Sequence, residues 1–91
     1  MKSDWKVIWD KKAVEDLLKI NKEDAELILN KVENYLSRDP ISLGKPLKGR
    51  LRIFYRYRVG KYRVIYSVER KEVTIIVIRV GKRDEVYEKG L

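Results

Sequence analysis

Residues 51–68 read LRIFYRYRVGKYRVIYSV, two runs of alternating side chains joined by Gly60 and Lys61. Alternation with a period of two is typical of β-strands. Gly followed by another residue suits a two-residue type II′ turn, whose first central position needs positive φ. The stretch therefore predicts an antiparallel hairpin in which Arg58 lies directly opposite Arg63.

The alternation also divides the first hairpin strand into two faces. One face is predicted to carry Leu51, Ile53, Tyr55, Tyr57 and Val59, and the other Arg52, Phe54, Arg56 and Arg58. The first set fits a core-facing side and the second a basic surface with one aromatic ring.

Five further segments complete the predicted fold. WKVIW (5–9) is a short strand, and Asp10 and Asn21 suit the N-caps of two helices. At helical spacing, the apolar stripe of the first consists of Ala13, Val14, Leu17 and Leu18, and that of the second of Ala25, Ile28, Leu29, Val32, Tyr35 and Leu36. ISLGKPLKG (41–49) is predicted to be a loop, and EVTIIVIRV (72–80) a strand buried on both faces.

The order of these elements predicts an α+β fold. An N-terminal strand and a two-helix hairpin would pack on one face of a largely antiparallel, four-stranded, twisted sheet. After Gly81 the chain would end in a short C-terminal helical turn. Ninety-one residues suffice for one core, so residues 1–91 are expected to form a single domain.

The composition excludes several classes of site. The chain has no Cys, His or Gln, so disulfides, thiolate catalysis, imidazole bases and the commonest metal ligands are unavailable. We expect no metal and no cofactor. No apolar run is long enough to cross a membrane, and the first ten residues lack a secretion signal, so we expect a cytoplasmic protein. Abundant Lys, Arg, Glu and Ile suggest a thermophilic, for instance archaeal, source.

The net positive charge of the chain comes from one segment. Between positions 40 and 68 the chain has eight basic residues and no acid, whereas 14 basic residues face 14 acids elsewhere. Like charges directly opposite on paired strands are destabilising, so this clustering indicates a polyanionic partner. Guanidinium groups match phosphate geometry, and an exposed Phe54 favours single-stranded RNA over duplex DNA.

Several motifs resemble those of one known family. PLKG (46–49), YRYRVGKYRVIY (55–66), VIRVGKR (77–83) and EVY (85–87) are similar to the RelE toxins of the RelE/ParE superfamily. The resemblance implies the toxin of a type II toxin–antitoxin system. Such a toxin enters the ribosomal A site, cuts mRNA there without a metal, and is neutralised by an acidic RelB-like antitoxin.

The resemblance also implies roles for individual residues. Arg63 matches the phosphate-binding Arg, Arg83 the Arg that stabilises the transition state and protonates the leaving group, and Tyr87 the Tyr that orients substrate and helps to activate the attacking hydroxyl. Arg56 and Lys48 match basic positions of the family. The complete predicted RNA-binding set is Lys48, Arg52, Phe54, Arg56 and Arg58.

Two departures from the family leave alternatives open. Phe54 stands where some relatives have Lys, and some relatives have two more residues between the positions of Arg83 and Tyr87. The chain could instead be a ParE-like inhibitor that binds DNA gyrase and cuts nothing. It could also be a non-catalytic RNA- or ribosome-binding protein that uses the same arginines. Arg83 and Tyr87, which follow the RelE pattern, favour the nuclease.

Overall fold

Ten short elements make up the described part of the chain. The computed structural model describes residues 4–51 and 53–82. In chain order the elements are β1 (Lys6–Trp9), α1 (Lys11–Leu18), α2 (Lys22–Asn34), a 3₁₀ turn (Leu36–Arg38), α3 (Pro40–Leu43), β2 (Lys45–Pro46), a second 3₁₀ turn (Gly49–Leu51), β3 (Phe54–Val59), β4 (Tyr62–Glu69) and β5 (Thr74–Lys82). Arg52, Arg83, Tyr87 and the predicted C-terminal helical turn lie outside the described residues.

Both predicted helix starts are confirmed. The Asp10 carboxylate accepts a hydrogen bond from the Lys12 backbone N–H at 3.1 Å, and the Asn21 side chain accepts one from the Asp24 N–H at 2.9 Å. Each bond satisfies a backbone donor that has no partner inside the helix. These caps fix where α1 and α2 begin.

The sheet is mixed and has five strands in the order β1-β5-β4-β3-β2. The prediction of four largely antiparallel strands was wrong in two respects. β1 pairs with β5 in parallel, and β2 forms inside the segment 41–49 that was predicted to be a loop. Parallel strands need a long crossover connection, and side-chain alternation does not report which distant strands pair.

The predicted hairpin register is confirmed. Arg58 pairs with Arg63, and Gly60 has φ +58° at the turn. The predicted start of the strand was wrong, since β3 begins at Phe54. Leu51 lies in a 3₁₀ turn and packs on the opposite face of the sheet, while Ile53 is 66% exposed.

The helices cover one face of the sheet, as predicted. The buried core consists of Ala13, Ile28, Val32, Leu36, Val59, Tyr62, Val64, Tyr66, Ile75, Val77 and Val80. Four apolar residues of the predicted helix stripes remain exposed: Val14, Leu18, Leu29 and Tyr35. Ile75, Val77 and Val80 of β5 are buried on the helix side, whereas Ile76 on the other face and Ile78 are only half-buried, so the predicted burial of this strand on both faces is incomplete. None of the helices within the described ranges could span a bilayer.

Candidate nucleic-acid interface

Strand pairing brings four cationic side chains to the face of the sheet opposite the helices. Lys45 of β2 lies opposite Arg56 of β3, and Arg58 of β3 lies opposite Arg63 of β4. Directly opposed residues point to the same side, as do residues two apart on one strand. Lys45, Arg56, Arg58 and Arg63 therefore share one surface across three adjacent strands, which we call the basic face.

The basic face surrounds a shallow cavity of about 180 Å³. Its lining consists of the four cations and Leu43, which closes one side. Arg56 and Arg63 are half-buried, whereas Lys45 and Arg58 are exposed. No Asp or Glu of the described ranges lines this cavity. A small anion with several oxygen atoms, such as phosphate, fits both the size and the charge.

Three of the four cations of the basic face have no acidic partner within the described ranges. The one ion pair that joins two described residues connects Arg79 and Asp16, neither of which lines this cavity. Lys45, Arg56 and Arg58 therefore have no carboxylate partner among residues 4–51 and 53–82. Mutual repulsion of these charges destabilises the free protein, and a bound polyanion would relieve it.

An apolar cluster adjoins the basic face. Leu47 and Ile65 are buried there, and Leu51 and Phe54 pack against them. Phe54, predicted to be an exposed ring for base stacking, is half-buried in this cluster. Its exposed fraction still lies on the same strand face as Arg56. Lys48 follows Leu47 in the connecting loop and is exposed.

The structure brings part of the predicted site together. Arg56, Arg58 and Arg63 converge on one cavity, with Phe54 beside them. Nothing described connects Lys48 to that cavity. Lys45 was missed as a site residue because it was assigned to a loop. Its position inside the acid-free segment was the available signal, but its pairing with Arg56 was not visible in the sequence.

A buried tyrosine links the basic face to the core. The Tyr66 hydroxyl donates a hydrogen bond to the Pro40 carbonyl at 2.6 Å, and burial raises its pKa. A Cβ at Gly44 would lie 1.8 Å from this hydroxyl oxygen, so Gly44 permits the close approach. The contact holds the segment that carries Leu43 and Lys45 against the sheet.

Past the end of β1, the Asp16 carboxylate takes the place of a neighbouring strand along β5. β1 ends at Trp9, which pairs with Val77. Beyond that point Asp16 of α1 accepts a hydrogen bond from the Val80 N–H at 2.9 Å. The same carboxylate accepts two from the Arg79 guanidinium, at 2.8 and 3.2 Å. This hydrogen bonding raises the pKa of Arg79.

A β-bulge lies where β5 stops pairing with β1 and begins to bond with Asp16. The β4–β5 register shifts between Ile65 and Tyr66, which leaves Ile78 as the extra residue of β5. Bulges re-aim the residues that follow them. Here the residues after the bulge pair with β4 on one side, and on the other side the Val80 N–H is bonded to Asp16. In this register Gly81 lies opposite Arg63.

Candidate metal ligands are not grouped in the described ranges. Residues 4–51 and 53–82 bring no three Asp or Glu side chains into a geometry that could hold an ion. The basic face itself offers fixed cations, which can bind phosphate oxygens and stabilise negative charge.

The fold and the basic face can be set beside known proteins. The family model described as the ParE toxin of the type II toxin–antitoxin system parDE matches residues 7–87. The chain belongs to the RelE/ParE superfamily of toxins.

Individual relatives agree with that membership. Toxin RelG of Mycobacterium tuberculosis is 35% identical over 54 residues, which are 59% of this chain and 62% of RelG. The chain thus spans less than two thirds of that relative's length. A chain of the RelBE2 toxin–antitoxin complex from the same organism has a TM-score of 0.85 at 28% identity, covering 91% of this chain and 95% of its own.

The similarity extends to an archaeal structure. A chain of the RelE–RelB complex from Pyrococcus horikoshii OT3 has a TM-score of 0.70 at 27% identity and covers 92% of this chain and 100% of its own. The five-stranded mixed sheet with its helices on one face is therefore a RelE-like fold.

Proposed function

We propose that this superfamily member is a cytoplasmic mRNA endonuclease that acts in the ribosomal A site and so inhibits translation. The observation that carries the proposal is the basic face: four cations from three paired strands surround a cavity of about 180 Å³. Phosphate is the ligand that such a cluster suits best. The similarity of the motifs around Arg63, Arg83 and Tyr87 to those of RelE toxins supports cleavage.

The reaction we propose uses the RNA as its own nucleophile. The 2′-hydroxyl attacks the adjacent phosphorus and loses its proton, the bond to the 5′-oxygen breaks, and that oxygen takes up a proton. The products are a 2′,3′-cyclic phosphate and a 5′-hydroxyl. Negative charge develops on the phosphate oxygens, and preorganised cations stabilise it most at that stage.

The proposal assigns roles to three residues. Arg63 binds the phosphate from the basic face. Arg83 stabilises the transition state and protonates the leaving oxygen, and Tyr87 helps to activate the attacking hydroxyl. The ribosome would align the hydroxyl with the phosphate, which reduces the demand on the base.

An acidic RelB-like antitoxin is the partner we propose. The related chains from M. tuberculosis and P. horikoshii were each solved in a toxin–antitoxin complex. The acid-free segment between positions 40 and 68 would attract an acidic polypeptide and speed its association. Antitoxin binding should cover the basic face and stop translation inhibition.

The decisive experiment compares mRNA cleavage during translation with cleavage of naked mRNA. The wild-type chain should cut A-site codons on the ribosome. Arg63→Ala and Arg83→Ala should each lower the single-turnover rate by roughly 10²–10³-fold, the usual loss for one preorganised donor. Lys71→Ala is the matched control, because Lys71 is an exposed cation at the other end of the β4–β5 pair. Absence of cleavage by the wild type, with translation still inhibited, would indicate a non-catalytic ribosome-binding protein.

A second candidate is favoured by the family description itself. The matching family model is named for ParE, so inhibition of DNA gyrase without RNA cleavage is the alternative. A supercoiling assay with purified gyrase separates the two. Inhibition of gyrase together with intact mRNA in translating ribosomes would replace the nuclease proposal.

A further inference from the structure

A larger cavity lies on the helix side of the sheet. It has a volume of about 460 Å³ and opens between the α1–α2 connection, the β3–β4 turn and the end of β5. Three lysines from distant parts of the chain line it: Lys19 after α1, Lys61 in the turn and Lys82 at the end of β5. Folding therefore creates a cationic site that no local charge run in the sequence reveals.

The charge balance inside this cavity is positive. Asp16 also lines it, but its carboxylate is bound to the Arg79 guanidinium at 2.8 Å, so this pair is neutral. Lys19, Lys61 and Lys82 make no ion pair with another described residue. Three cationic charges thus remain on the cavity lining.

The walls of the cavity are held in place by hydrogen bonds. The Tyr62 hydroxyl donates to the Asp24 carboxylate at 2.9 Å, which ties the hairpin to the start of α2. Asp24 also accepts a bond from the Asn21 amide at 3.1 Å. The Asp24 carboxylate is therefore bonded to neutral donors rather than to a lysine.

The cavity and the basic face meet at one end of the sheet. Arg63 points to the basic face, and its neighbour Tyr62 points to the helix side, where it lies opposite Lys82. Lys61 sits in the turn between them and its Nζ is 5.7 Å from the Tyr62 ring centroid. Cations consequently continue from Arg58 and Arg63, around the turn, to Lys82.

We infer that the helix-side cavity is a second phosphate-binding subsite, occupied by the same single-stranded RNA whose scissile phosphate lies on the basic face. The strand would bend around the Gly60–Lys61 turn. Single-stranded RNA can follow such a path, whereas a duplex resists sharp bending. This inference rests on the proposed function and adds a binding surface to it.

The lining favours RNA over an acidic protein partner. Protein interfaces depend on a desolvated apolar centre with aromatic anchors. Among the described residues that line this cavity, Ile20 and Val80 are the aliphatic side chains, and the one aromatic ring, that of Tyr62, is buried and hydrogen-bonded to Asp24. A polar, lysine-rich cavity instead resembles the grooves that follow a nucleic-acid backbone.

The test compares two variants that each remove three positive charges. The first is Lys19→Gln/Lys61→Gln/Lys82→Gln. The matched control is Lys6→Gln/Arg70→Gln/Lys71→Gln, which changes three exposed cations at the opposite end of the sheet. Fluorescence anisotropy measures the binding of each full-length chain to single-stranded RNAs of about four and about sixteen nucleotides over a range of salt concentrations.

We expect the first variant to lose affinity for the long RNA, by roughly tenfold or more at low salt, while the short RNA binds as to wild type. Its log–log salt slope should decrease in magnitude by about 0.7 for each lost phosphate contact. The control variant should behave like wild type. Equal loss in both variants, or an unchanged salt slope in the first, would overturn the subsite.

Two further outcomes separate this inference from the proposed function. If wild-type protein binds neither RNA, the proposed nuclease fails as well. If wild type binds both RNAs and the first variant loses only antitoxin affinity in a parallel measurement, the cavity belongs to the protein partner. That result would overturn the subsite and leave the nuclease proposal standing.

Discussion

The two faces of the sheet show opposite relations between neighbouring side chains. On the helix side, Tyr55 and Tyr66 stack with ring centroids 5.6 Å apart, and the Tyr66 hydroxyl has a carbonyl partner. On the basic face, Arg58 lies opposite Arg63 and Lys45 opposite Arg56. The first arrangement stabilises the folded chain, whereas like charges placed directly opposite each other cost free energy that a bound anion would offset.

This contrast separates residues that determine stability from residues that determine binding. Burial and hydrogen bonding identify the first group, and like charges clustered on a rigid sheet identify the second. Substitutions on the two faces should therefore differ in sign as well as in size.

The largest effect is expected on the helix side. Ile28 is fully buried in α2, and Ile28→Ala should lower the free energy of unfolding by roughly 2–5 kcal/mol because it leaves a cavity. Leu29→Ala, at a neighbouring position that is 38% exposed, is the control and should cause a clearly smaller loss. Urea denaturation measures both. Equal losses would contradict the assignment of the core face.

A smaller effect is expected at the end of β5. Asp16→Ala leaves the Val80 N–H and the Arg79 guanidinium without their acceptor and should destabilise by roughly 1–3 kcal/mol. Asp16→Asn keeps an acceptor for the Val80 N–H and should lose less. Glu15→Ala, at the exposed neighbouring position, is the control. Thermal unfolding followed by circular dichroism would show the order, and identical melting of all three variants would contradict it.

Gly44 contacts Tyr66 of the core and precedes Lys45 of the basic face, so a substitution there should change both stability and binding. In Gly44→Ala the new Cβ meets the Tyr66 hydroxyl, so the segment with Lys45 must move. We expect a loss of about 1–3 kcal/mol of stability, as for other overpacked sites, and weaker RNA binding. Tyr66→Phe removes the hydroxyl, so the double variant should regain part of the affinity that Gly44→Ala loses. RNA titrations of the three variants measure this, and an equally weak double variant would show that the hydroxyl is not the contact that displaces the segment.

The smallest effect is expected on the basic face and has the opposite sign. Arg58→Gln removes one of two directly opposed charges and should stabilise the chain by up to roughly 1 kcal/mol at low salt. The gain should disappear at high salt, where exposed charges are screened. RNA affinity should fall in the same variant. Lys71→Gln is the control, and a destabilised Arg58→Gln would mean that the charges on this face are already compensated.

Sequence reasoning succeeded where neighbouring residues decide the structure. The hairpin register follows from the Gly60 turn and strict alternation, and both N-caps follow from Asp10 and Asn21. These are interactions over a few residues, and the signals are strong.

It failed where distant segments meet. The parallel pairing of β1 with β5, the short strand that places Lys45 opposite Arg56, and the bond between Asp16 and Arg79 all join residues that share no local pattern. The same is true of the three lysines around the helix-side cavity. Phe54 was assigned to the correct face, but the apolar neighbours that half-bury it became apparent only from the fold.

The short edge strand β2 has a consequence for aggregation. It pairs through two residues, Lys45 and Pro46, one charged and the other without a backbone N–H. A strand with these properties is a poor template for another chain, because it offers few donors and a repelling charge. The protein can thus expose a cationic sheet face while its β2 edge resists pairing edge to edge with other copies into fibrils.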